Sequence, residues 1–161
     1  MIVAGEAVRA QALANDLGKR FPEDTIVRYN FLPTLHAQIA LTRGDPSKAF
    51  EALQATQPYE LGDMQGNNPL YCIYLRGEAH LAAHHGSEAA YEFQKILGNR
   101  GIVLNSPIGA LAHLQIGRAY AMQGDTAQAK AAYQDFLTLW KDANPDIPIF
   151  IDAKAEFAKL K

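Results

Sequence analysis

The segment Gly44-Asp45-Pro46-Ser47-Lys48-Ala49 returns as Gly124-Asp125-Thr126-Ala127-Gln128-Ala129. Midway between them stands His85-Gly86-Ser87-Glu88-Ala89. The period is about 40 residues, and an internal repeat of that length constrains a fold more than any local signal. The sets Ala49/Ala89/Ala129, Leu53/Phe93/Tyr133, Gln54/Gln94/Gln134 and Ala37/Gly77/Gly117 keep the same register. Each unit therefore carries a small residue, a later alanine, and a large apolar residue four positions beyond the alanine.

That pattern predicts a helical hairpin. Small residues at two spaced positions let antiparallel helices approach closely. The large residue, one turn after the alanine, shares its face and fills the seam. Gly-Asp supplies the turn: the glycine ends one helix at positive φ and the aspartate caps the next. Asn68-Pro69 and Ser106-Pro107 read as an N-cap followed by proline in the first helical turn, and Pro33 and Pro148 mark two further starts. The expected map is one domain, 1–161: a half repeat at 1–22, hairpins at 31–57, 69–98 and 107–141, and a capping helix at 148–160. In the last, Phe150, Ala153, Phe157 and Leu160 form an apolar stripe opposite Lys154, Glu156, Lys159 and Lys161, as suits a helix that closes a stack. No segment alternates with period 2, so no sheet is expected.

Composition narrows the partners. Fifteen Lys+Arg against seventeen Asp+Glu leave a net charge of −2, without the basic footprint of a nucleic-acid binder. The longest uncharged run, Gly101 to Gly117, includes Asn105, Ser106, Pro107, His113 and Gln115. It falls short of the ~20 apolar residues that would insert in a membrane. The single cysteine, Cys72, cannot form an internal disulfide or a Cys-based zinc site.

The third unit reads His113-x2-Ile116-Gly117-x2-Tyr120 followed by Ala129-x3-Tyr133. It resembles the tetratricopeptide repeat (TPR) signature W-x2-L-G-x2-Y…A-x3-F…P. The second unit keeps Gly77, Ala89 and Phe93 but has Arg76 and His80 at the Leu and Tyr positions; the first keeps Ala37, Ala49 and Leu53. TPR units take about 34 residues, and the surplus here falls between hairpins, in Pro58–Asn67 and Gly98–Asn105. Gly5, Ala10, Ala14, Leu17 and Pro22 match the second half of a repeat, whose first helix would lie upstream in a longer parent chain. From Pro69 to Lys161 the chain looks like the C-terminal TPR tail of acidobacterial eukaryotic-like serine/threonine protein kinases or winged-helix regulators. Phe93-Gln94-Lys95-Ile96-Leu97 and Leu139-Trp140-Lys141-Asp142-Ala143-Asn144-Pro145 carry that likeness. The resemblance implies an all-α TPR-like α-α solenoid, used for protein–protein interaction within a bacterial signalling protein. No Gly-rich phosphate loop and no HRD-type or DFG-type kinase segment occurs.

Side-chain chemistry adds little. His80-x3-His84 could share a helix face, but without a HExxH glutamate or a third ligand no metal site is assigned. His36, His80 and His113 fall where TPRs carry packing residues and are expected to be half-buried with one nitrogen hydrogen-bonded. Cys72 is expected to pack rather than react, and Trp140 to pack with Phe136 against the last helix. The acidic residues are read as scattered over exposed faces. No catalytic residue and no cofactor is expected.

In a TPR-like stack the first helix of each pair lines a concave groove. Its registers are Phe31/Tyr71/Leu111, Thr34/Tyr74/Leu114, Gln38/Glu78/Arg118 and Leu41/Leu81/Ala121. This mixture suits an extended peptide or a helix as partner. Thr34 and Gln38 stand where carboxylate-clamping TPRs carry Lys and Asn, which disfavours a C-terminal carboxylate ligand. The alternative is a structural or oligomerisation role, with self-association through the N-terminal face.

Overall fold

A computed structural model describes residues 4–62 and 70–160. Among the described residues all regular structure is helical, so the chain is all-α. The helices are α1 (Ala4–Arg20), α2 (Leu32–Thr42), α3 (Pro46–Leu53), α4 (Tyr71–Ala82), α5 (Gly86–Gly98), α6 (Arg100–Val103), α7 (Pro107–Met122), α8 (Thr126–Leu139) and α9 (Pro148–Lys159). A π turn, Val27–Phe31, leads into α2, and a 3₁₀ turn, Gln54–Tyr59, follows α3. No helix among the described residues is long and apolar enough to cross a membrane.

The pairs α2/α3, α4/α5 and α7/α8 pack within themselves. Neighbouring pairs meet through α3 on α4 and α5 on α7, and their first helices touch as α2 on α4 and α4 on α7. α1 lies on α2 and α9 on α8.

Three turns at the 40-residue period have the same hydrogen bonds. Asp45 N–H donates to the Ala40 carbonyl, His85 N–H to His80 and Asp125 N–H to Tyr120, at 3.0, 2.8 and 3.0 Å. Gly44, His84 and Gly124 donate to Leu41, Leu81 and Ala121 in the second bond of the same Schellman closure. Gly44 and Gly124 take φ of +73° and +78°. The middle turn reaches the same geometry with His84 at φ +59°. Asp45 and Asp125 then cap α3 and α8 by accepting the N–H of Lys48 and Gln128, each at 3.0 Å. His85 provides no such cap.

The seam forms as the repeat implies. A Cβ on Gly77 would come within 2.5–2.6 Å of the Phe93 ring, and one on Gly117 within 2.8–3.0 Å of Tyr133. Ala37, Ala49, Leu53, Ala89 and Ala129 are all buried. One core runs through all three pairs. A second gathers Leu114, Tyr133, Phe136, Phe150 and Ala153 beneath α9.

Several expectations need correction. Pro33 stands in the first turn of α2, as expected, but helical backbone already precedes α2. The chain enters helix near residue 25, where Asp24 Oδ1 accepts from the N–H groups of Ile26 and Val27, both at 2.9 Å. Pro33 sits buried inside the continuous segment. Its ring would clash with the carbonyl one α-turn back, and the preceding π turn, with Leu32 N–H bonded to Val27, opens that spacing. The first hairpin therefore begins before residue 31. Gly5 lies inside α1 instead of in a turn before it, and the buried positions of α1 are Ala7 and Ala14, with Ala10 only half-buried. The connection at 98–105 contains α6. The start assigned to Asn68-Pro69 lies outside the described residues; the start at Ser106-Pro107 is observed, with Ser106 Oγ accepting from Ile108 N–H.

Candidate interaction surface

The proposed groove residues all lie on the first helices of the three pairs or on the π turn that leads into α2, but they do not form one open surface. Phe31, Thr34, Gln38, Glu78, Arg118 and Ala121 are half-buried, and Tyr71 is 46% exposed. Leu41, Leu81 and Leu111 are half-buried against the main core. Tyr74 and Leu114 correct the expectation. Tyr74 is 8% exposed, its ring edge-on to Phe93 at 5.6 Å. Leu114 is fully buried in the core beneath α9. Neither offers an open contact to a partner.

The cause at Leu114 is α9, which occupies the third register. Arg118 forms a two-bond fork with Glu156 on α9, Nε to Oε2 and Nη2 to Oε1, both 2.8 Å. The Tyr133 hydroxyl donates to Glu156 Oε2 at 2.6 Å. Arg118 Nη1 also donates to Gln115 Oε1 at 3.2 Å, and Gln115 Nε2 donates to the Tyr74 hydroxyl at 2.8 Å and to Glu78 Oε1 at 3.0 Å. One polar chain thus links α4, α7, α8 and α9 along the face the first helices share.

Its two carboxylates are tuned in opposite directions. Burial pushes the Glu78 carboxyl above its usual range, against the Tyr74 hydrogen bond and the Arg118 charge. At Glu156 burial also acts upward, but hydrogen bonds from Arg118 and Tyr133 outweigh it and hold the group below its usual range. Burial first, and then these same carboxylates, push both tyrosine hydroxyls up, so they stay protonated donors.

Behind the face lies an ion cluster that the sequence pattern missed. Arg76 pairs with Glu60 through Nη2 and lies 3.6 Å from Glu92, while Lys95 bonds Glu60 and Glu92, each at 3.2 Å. Two acids and two bases balance, and Arg76 and Glu92 have side chains only 8% exposed. Glu60 and Glu92 are therefore not on an exposed face. Arg76 stands at a position the TPR signature gives to leucine, and that substitution was the available signal. Its partners could not be named from spacing, because Glu60 comes from the chain beyond the 3₁₀ turn and Glu92 from α5.

The histidines divide. α4 ends at Ala82 and His84 turns left-handed, so His80 and His84 share no helix face. Among the described residues no group of three His, Cys, Asp or Glu is arranged to hold a metal. His80 is half-buried between Phe50, at 4.6 Å, and His85, at 5.8 Å; its Nδ1 has no hydrogen-bond partner, and burial lowers its pKa. His36 likewise keeps a buried Nε2 without a partner. Among the described residues His113 is the one histidine with an acid at ion-pair distance, Asp135 at 3.5 Å. Cys72 is fully buried and its thiol is pushed up by burial, which fits packing. Trp140 packs on Phe136 at 5.0 Å and on Phe150 of α9 at 6.4 Å.

No family model matches the chain, and neither the curated proteins nor the solved structures include a significant match.

Proposed function

We propose that this chain is a TPR-like α-α solenoid that binds a protein partner, a peptide or a helix, on the face lined by α2 and α4. The observation that carries this reading is the repetition of one turn and one small-on-large seam at the 40-residue period, which lays the first helices side by side. Such stacks present a continuous recognition face. That face carries Tyr71, which is 46% exposed, with the half-buried Phe31, Thr34, Gln38, Leu41, Glu78 and Leu81 around it. α9 fills the part belonging to α7. The mechanism is docking on preorganised helices, without catalysis. The likeness of residues 69–161 to kinase and regulator tails supports placing this module in a larger bacterial signalling protein.

A selection of random peptides displayed on phage against the purified chain tests the reading. The enriched peptides should lose at least tenfold in affinity with Tyr71→Ala or Gln38→Arg. They should keep it with Tyr91→Ala, whose ring is 65% exposed on α5. Peptides indifferent to Tyr71 and Gln38 would refute the face.

A second reading is favoured by one observation. Val8 and Leu13 on α1 are 67% and 61% exposed. Self-association through this helix would give a dimer mass in light scattering that Leu13→Glu converts to a monomer.

A further inference from the structure

A cavity of about 410 Å³ lies where the end of α5, the short helix α6 and the first turns of α7 meet the end of α8. Leu97, Val103, Leu139 and Trp140 give it apolar walls, and no groove residue lines it. Two small residues of α7 shape it. A Cβ on Gly109 would stand 2.7 Å from Val103, so the glycine lets α6 come close. Ala110 is half-buried, whereas Leu70, one period earlier, is fully buried in the main core. The surplus residues of this connection build a wall and leave the space beside Ala110 open.

The mouth is apolar. Leu104 is 78% exposed and Leu139 60%. Leu104 also takes φ +48°, a region in which a bulky residue is strained, and no burial of its side chain offsets that strain.

Charge defines the polar end of a ligand. Arg100 and His113 are the titratable groups of the lining, which includes no acid. Burial lowers the His113 pKa; Asp135, 3.5 Å from its Nδ1 and outside the lining, raises it, and the Arg100 charge lowers it again. The net shift is downward, so the ring is neutral at pH 7 and Arg100 is the fixed cation of the cavity. Among the described residues no acid stands within ion-pair distance of Arg100. A guanidinium matches a carboxylate through a two-bond fork. Trp140 adds an aromatic wall, against which a flat ring gains more than its buried area alone. The volume falls within the range of about 300–1,000 Å³ typical of small-molecule sites, with room for one or two fused rings. An inorganic anion would leave the walls uncovered, and an alkyl acid would forgo the stacking.

We propose that this cavity binds a small aryl carboxylate, with the carboxylate on Arg100 and the ring against Trp140, beneath Leu104 and Leu139. The site is separate from the face lined by α2 and α4, so either can fail without the other.

The test titrates the full chain with 2-naphthoate and follows the indole N–H resonance of Trp140, the only tryptophan, by NMR. The neutral 2-naphthamide and the alkyl acid octanoate are run in parallel. Naphthoate should saturate below millimolar concentration and shift the indole resonance, and both controls should bind about tenfold more weakly. Arg100→Gln, at an exposed side chain, should bring naphthoate down to the affinity of the amide. Ala110→Leu places a leucine in the cavity and should abolish binding while the helical circular dichroism is retained. Lack of saturation at millimolar naphthoate overturns the proposal. So does amide or octanoate binding equal to that of naphthoate, or unchanged binding by Arg100→Gln. A folded Ala110→Leu protein that still binds overturns it as well.

Discussion

The second and third hairpins share a backbone and differ in almost everything laid upon it. α4/α5 and α7/α8 close through the same Schellman bonds and seat a glycine under an aromatic ring, Gly77 under Phe93 and Gly117 under Tyr133. Yet the second turn uses His84 where the third uses Gly124. The second buries Arg76 in an ion cluster where the third buries Ile116. The third lies beneath α9, which takes Leu114 and Arg118 out of reach of a partner. A few small-on-large contacts therefore suffice to specify the hairpin, and the remaining positions can carry other interactions.

The sharpest way to separate the two pairs is at the position Arg76 and Ile116 share. Arg76→Ala leaves the buried Glu60 and Glu92 with Lys95 as their one cation in the cluster and should cost about 3–5 kcal/mol, as breaking a buried ion pair does. Ile116→Val removes one methylene and should cost about 0.5–1.5 kcal/mol. Urea unfolding of both variants reads the difference. Equal losses would mean that the ion cluster is solvated and contributes little.

The hold of α9 on the third pair gives a smaller effect with a pH signature. Glu156 is partly exposed, so its fork with Arg118 is screened, and Glu156→Ala should cost about 1 kcal/mol. For a chain of this size that lowers the melting temperature by about 2–4 °C. Because the folded-state pKa of Glu156 lies below its ordinary value of 4.5, its stabilisation is full above that value. It is lost as pH falls through the folded pKa. Glu78 has the opposite sign: its raised pKa means that ionisation costs stability as pH rises, a cost that acid removes. Acid should thus loosen α9 while relieving the α4 side of the same polar chain. Trp140, the only tryptophan, packs on Phe150 and reports α9 by its fluorescence. Its emission should change below pH 4.5, ahead of the loss of helical circular dichroism. Coincident transitions would show that α9 is not a separable layer.

The smallest effect concerns the turns. A non-glycine residue in the left-handed region costs roughly 1–2 kcal/mol. His84→Gly should recover about 1 kcal/mol, and Gly124→His should lose about as much, in thermal melts. A destabilised His84→Gly would assign the histidine a packing role that its exposure does not suggest.

The parts legible in the sequence were the repeating ones. Turn glycines, capping aspartates and the small-on-large seam leave a periodic trace because each is a local constraint on one helix or turn. The start of the α2 segment was missed: Pro33 is a start signal in isolation, and only the π turn before it makes it tolerable inside a helix. The candidate surface was legible in register but not in accessibility. Position along α7 says nothing about whether α9 lies over it, so Leu114 read as an open contact. Tyr74 was misread for a related reason, since its ring reaches Phe93 and its hydroxyl reaches Gln115 of the next pair. The buried acids were hidden because Glu60 and Glu92 converge on Arg76 only in three dimensions.

The central claim is that a small residue on each first helix receives a large apolar side chain from the second, as Gly77 receives Phe93 and Gly117 receives Tyr133, and that this contact defines the repeat. A double-mutant cycle on Gly77 and Phe93 tests it directly. Gly77→Ala places a methyl against the ring tip and should cost about 1–3 kcal/mol, as overpacking does. Phe93→Leu removes that ring tip. In the Phe93→Leu background Gly77→Ala should cost far less, with a coupling above about 1 kcal/mol. Additive losses within about 0.5 kcal/mol would contradict the seam and the repeat built on it.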